Sequence, residues 1–94
     1  MSRTPIHPGE ILTDELEALE ISAAELARII GVPANRITQI MAGKRAITAD
    51  TALRLGRYFG TTAEFWMNLQ KIYELDLARQ EIGDSLTHIP QRSA

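Results

Sequence analysis

The chain has 94 residues, 45% of them hydrophobic, which supports one compact core and leaves too little for a second. It has no cysteine, and its two histidines, His7 and His88, lie at opposite ends, which excludes disulfide scaffolding, thiolate chemistry and a clustered Cys/His metal site. The formal net charge of −2 is unevenly spread: residues 8–20 carry Glu10, Asp14, Glu15, Glu17 and Glu20 with no cation, whereas residues 22–60 set Arg28, Arg36, Lys44, Arg45, Arg54 and Arg57 against Glu25 and Asp50. No apolar run approaches the length of a membrane span, and "MSRTPIHPGE" lacks a signal-peptide hydrophobic stretch. A soluble cytoplasmic protein with no membrane partner is expected.

The pattern is helical throughout. Pro8 suits a first helical position, and Ile11, Leu12, Leu16 and Leu19 recur at spacings of three and four, giving a first helix over 8–20. Ser22-Ala-Ala-Glu25 is a capping box that opens a second helix, with Leu26, Ala27 and Ile30 facing inward and Gly31 at its end. Pro33 opens a third helix reaching Ala42, with Ile37, Ile40 and Met41 buried. Asn35 and Gln39 fall opposite that stripe, with Arg36 and Thr38 on its shoulders. Thr48 caps a fourth helix, in which Ala52, Leu55, Gly56 and Phe59 share a face and which Gly60 ends. Thr61 or Thr62 caps a fifth helix over 62–82. The tail, 83–94, has no amphipathic period and is expected to be disordered.

Two short helices joined by a tight turn at Gly31 have the spacing of a helix-turn-helix. In that motif the second helix enters the DNA major groove and the first crosses the backbone. Asn35, Arg36, Thr38 and Gln39 offer the right chemistry for base edges, since amides pair with adenine and guanidinium with guanine. Lys44 and Arg45 follow where a loop would meet phosphates. An ordinary solvated helix face would also show such residues; the basic middle of the chain favours the DNA reading.

"HPGEIL" at 7–12, "ELARIIGV" at 25–32, "AGKRAITADTALRL" at 42–55 and "GTTAEFWMNLQ" at 60–70 resemble the HigA-type antitoxins. These form a virulence-associated-protein-I-like subgroup of the Cro/phage-repressor-like helix-turn-helix superfamily. The resemblance covers about residues 6–78. It implies an all-α, five-helix lambda-repressor-like DNA-binding domain, with a four-helix core over 8–60 and the motif over 25–44. It places base-reading positions at Asn35, Arg36, Thr38 and Gln39, and phosphate contacts at Ser22, Lys44 and Arg45. The chain departs from the family pattern at Ala23 and Pro33, where many relatives carry glutamine and Ser/Thr; both changes alter the contacts available to an operator.

The resemblance also implies a homodimer on a palindromic operator and a HigB-type toxin partner, a small basic mRNA-cleaving enzyme. The fifth helix offers a broad apolar stripe of Phe65, Trp66, Leu69, Ile72 and Tyr73. Phe65 and Leu69 are expected to close the core. Trp66 and Tyr73 at its edge, with Leu69 beside them, are the expected dimer contacts. Asp14, Glu17 and Glu20 are the expected toxin-facing acids, although a solvated face would carry the same charges.

Nothing converges on catalysis. Glu10 and Glu15 fall on different helix faces, and Gly43-Lys44 lacks the upstream glycine of a phosphate-binding loop. Asp50 and Arg54 form an i,i+4 surface pair, and His7 serves the start of the first helix. No enzyme activity, cofactor or metal is expected. The alternative readings are a stand-alone regulator of the same fold and a protein-interaction module that no longer binds DNA.

Overall fold

The computed structural model describes residues 3–93. Five α-helices follow one another: α1 (Pro8–Leu19), α2 (Ala23–Ile30), α3 (Ala34–Met41), α4 (Ala49–Phe59) and α5 (Ala63–Ile82), with a 3-10 helix over Gly83–His88. No strand occurs among the described residues. The tail expected to be disordered instead begins with a 3-10 helix that continues α5, and its described residues are exposed.

The helix boundaries follow from local chemistry. His7 caps α1 through its ring: Nδ1 accepts the Gly9 backbone N–H at 2.9 Å. α1 ends at Glu20 in the left-handed conformation, φ 58°. The Ser22 hydroxyl accepts the Glu25 N–H at 3.1 Å, so half of the capping box forms. The Glu25 carboxylate turns instead towards Arg28, 3.9 Å away. Gly31 closes α2 at φ 77°, where a side chain would be strained. Pro33 stands one position earlier than expected relative to its helix, at the extended N-cap of α3, where its missing N–H costs no hydrogen bond. Thr48 occupies the N-cap of α4, but its hydroxyl contacts that of Thr51 at 3.5 Å rather than a backbone amide. Thr62 caps α5 by accepting from the Phe65 N–H at 3.1 Å.

The core collects one or two residues from each helix: Leu12 and Leu16, Leu26 and Ala27, Ile37 and Ile40, Ala52 and Leu55, and Trp66, with Ile47 from the loop before α4. Each buried leucine or isoleucine contributes about 1.5–3 kcal/mol against the entropy of ordering the chain. Leu19, read as part of the inward stripe of α1, is exposed.

The fifth helix corrects the sequence reading. Trp66 is 1% exposed and lies in the core, so it cannot serve as a dimer contact, whereas Phe65 is 42% exposed. The cause is on α4. Gly56 has no side chain, and a Cβ there would fall 3.0 Å from the Thr61 carbonyl oxygen, so the first turn of α5 presses onto α4 at that point. In that register Trp66 turns inward against Phe59, their rings 5.7 Å apart, and its indole N–H donates to the Thr61 hydroxyl at 3.0 Å. Leu69 is half-buried against the core. Tyr73 is half-buried too, its ring edge-on to His7 at 4.8 Å.

Candidate nucleic-acid interface

α2 and α3 pack against each other around the Gly31 turn, and α1 packs its N-terminus against the C-terminal end of α3. α3 buries Ile37 and Ile40 and turns its polar residues outward. Asn35 and Thr38 are exposed, and Arg36 and Gln39 are half-buried. Asn35, Thr38 and Gln39 are neighbours at helical spacing, and the Thr38 hydroxyl donates to the Asn35 carbonyl at 3.3 Å.

The end of α3 is a Schellman turn. The Lys44 N–H donates to the Gln39 carbonyl at 2.9 Å and the Gly43 N–H to that of Ile40 at 3.0 Å, with Gly43 at φ 74°. This turn delivers Lys44 and Arg45, both exposed, directly after the polar face of α3. Arg36 and Arg45 line one open hollow with Thr48, Asp50 and Thr51. Ser22 is exposed at the N-terminus of α2, and its hydroxyl proton remains available while the oxygen caps the helix.

One of these residues is engaged in a way the sequence did not reveal. Arg36 Nη1 lies 2.8 Å from the Asp50 carboxylate. The same Asp50 oxygen accepts from Arg54 Nε at 3.1 Å, the expected i,i+4 pair. Arg54 in turn donates through Nη1 to the Ile30 carbonyl at 2.7 Å. These two guanidinium groups, Arg54 foremost, hold the Asp50 carboxyl below its usual range. The Arg36–Asp50 separation of 14 residues has no local signature; the only hint was an acid standing alone in a basic stretch.

Two further residues escaped the sequence reading. Gln70 is buried in α5, accepts the Ile47 N–H at 2.9 Å and donates to the Glu74 carboxylate at 2.9 Å. It ties the loop after Arg45 to α5, and its amide holds the Glu74 carboxyl below its usual range. Asp76, also buried, pairs with Arg3 and Arg79, each at 3.2 Å. The acids Asp14, Glu17 and Glu20 are all exposed along α1 and its C-cap. Among the described residues no helix is long and apolar enough to cross a membrane, and no three acidic or histidine side chains cluster as a metal site would require.

A small all-helical core that presents one short polar helix after a glycine turn defines a Cro/repressor-type helix-turn-helix protein. A family model described as helix-turn-helix matches residues 12–66. Virulence-associated protein I of Dichelobacter nodosus is 51% identical over 77 residues, covering 81% of this chain and 71% of that protein. The structure of an addiction-module antidote protein of the HigA family from Coxiella burnetii is similar at a TM-score of 0.93 and 48% identity, over 96% of this chain and all of that one. Antitoxin HigA of Pseudomonas aeruginosa, solved with the higBA promoter, is similar at 0.89 and 48% identity, over 97% of this chain and 100% of that one. The chain belongs to the HigA-type branch of the helix-turn-helix family.

Proposed function

We propose that this chain is a DNA-binding antitoxin that occupies its own promoter as a dimer and neutralises a HigB-type toxin. The observation that carries the proposal is the polar face of α3, with Asn35, Arg36, Thr38 and Gln39 followed at the end turn by the exposed cations Lys44 and Arg45. The Pseudomonas relative solved with promoter DNA supports the DNA-binding reading. Ser22 would add a phosphate contact at the start of α2.

A dimer sets two recognition helices ~34 Å apart on successive major grooves, which requires a palindromic operator. The second copy would meet α5, where Phe65, Ile72 and Leu75 stand exposed beside half-buried Leu69 and Tyr73. The toxin would meet the acids of α1, Asp14, Glu17 and Glu20, which suit a basic partner. A regulator without a toxin would share the DNA face and dispense with the acidic one.

The test is a salt titration of the full chain on the duplex upstream of its own reading frame. Wild type should bind two chains per duplex, with log affinity falling linearly with log salt. Replacing Lys44 and Arg45 together by alanine should weaken binding to operator and scrambled duplex alike, and flatten the salt slope by about 2. A slope unchanged by the double substitution would mean that phosphates are not met there.

A further inference from the structure

Arg36 sits on the shoulder of α3 that faces α4, and the way it is held separates its two faces. Nη1 is taken by Asp50 at 2.8 Å. Among the described residues, Nε and Nη2 have no acceptor. Nε and Nη2 form the side-on fork of a guanidinium group, and such a fork matches the O6/N7 edge of guanine.

Asp50 is itself fixed. Its carboxylate oxygen also receives Arg54 Nε, and Arg54 is anchored on the Ile30 carbonyl at the end of α2. A chain of charge-assisted hydrogen bonds thus runs from the helix-turn-helix corner through α4 to the guanidinium of α3. A carboxylate beside a DNA-binding face repels phosphates, so its presence there calls for a gain elsewhere. Holding one side chain's orientation supplies that gain, because a long arginine otherwise loses several rotamer freedoms on reaching a base.

We propose that Asp50 is a positioning residue for base reading: it holds Arg36 by Nη1 so that the Nε/Nη2 fork is presented to a guanine edge in the major groove. The proposal rests on the DNA-binding reading above and deepens it. Asp50 touches no base; it acts through Arg36, with Arg54 as its own support.

The experiment uses the full chain and an operator selected by the wild-type protein from a randomised duplex pool. Affinities for that operator and for a scrambled duplex are measured at one salt concentration for wild type, D50N, R36A and the double variant. D50N should lower the operator-to-scrambled ratio roughly tenfold, the scale of one lost bidentate base contact. Its affinity for scrambled duplex should hold or rise, since a repelling charge is gone. In the R36A background, D50N should change the ratio no further, because the residue it positions is absent.

An unchanged ratio in D50N would overturn the proposal, as would an equal loss in the R36A background, which marks a general disturbance of α4. A rise in operator affinity would overturn it too, since Asp50 would then be competing with DNA for Arg36. A wild type that prefers no sequence in the selection is a separate result: it removes the DNA reading itself, and Asp50 with it.

Discussion

His7 does two jobs with one ring. Nδ1 accepts the Gly9 amide and so caps α1, and the ring packs edge-on with Tyr73 of α5. The capping role needs Nδ1 unprotonated, and protonation would turn that acceptor into a donor facing an N–H. Burial is the larger influence and lowers the ring's pKa from 6.5; the Arg45 backbone contact and the Glu10 charge oppose it more weakly. A histidine whose folded pKa is depressed contributes stability that is whole above 6.5 and is lost as pH falls through the folded value. The two acids with depressed values, Asp50 and Glu74, start from 3.8 and 4.5, so their window lies lower and does not overlap. Wild type should therefore lose stability to urea as the pH is lowered from above 6.5 towards the range of the acids. His7→Asn keeps a cap acceptor and does not titrate, so its stability should be flat over the same fall in pH, at a cost of about 1 kcal/mol from the lost ring contact. Parallel pH profiles for the two proteins would show that His7 is not the titrating group.

At the scale of elements, α1 is the brace of α3. Gly9 lies so close to the Ile40 carbonyl that a Cβ would overlap it, so the first turn of α1 rests directly on the backbone of α3. The "HPGEIL" stretch has a physical account: His7 caps, Pro8 starts the helix, Gly9 permits the backbone contact and Leu12 enters the core. Gly9→Ala must push α1 off α3, and the expected loss is about 2–3 kcal/mol, the upper range of overpacking costs. Urea denaturation reads it as a lower midpoint with unchanged slope. Stability equal to wild type would mean that α1 and α3 separate without cost.

The α1, α2 and α4 boundaries were legible in the sequence because each rests on adjacent chemistry: a cap, a three-and-four spacing, a glycine beyond the last turn. The rotation of α5 was not. Phe65 and Trp66 are consecutive and both aromatic, and the choice between them depends on Gly56 and Phe59 across the α4–α5 corner, which no local pattern encodes. The polar face of α3 could be read residue by residue, but its Arg36–Asp50 support, like the Gln70–Ile47 bond, joins residues far apart in the chain.

At the scale of the whole molecule, the folded chain is 51 × 25 × 21 Å, because the last part of α5 runs on past the core: from Ala78 onward the described residues are all exposed. The charge is partitioned along with the shape. Lys44 and Arg45 follow the polar face of α3, whereas Asp14, Glu17 and Glu20 belong to α1 and its cap. If the two charged regions serve different partners, they should be separable by substitution. Asp14→Lys with Glu17→Lys changes exposed side chains away from the buried positions of α1, so the fold should be nearly unaffected. Promoter binding should persist, and should strengthen modestly as repulsion from phosphates falls. Growth arrest caused by inducing the adjacent reading frame should be relieved by wild type and no longer by the double variant, because a basic partner now meets cations. Relief undiminished by the charge reversal would move the toxin contact off α1. The absence of arrest from a well-expressed neighbour would favour the regulator without a toxin, for which the acids of α1 serve only to keep that side of the molecule off the DNA.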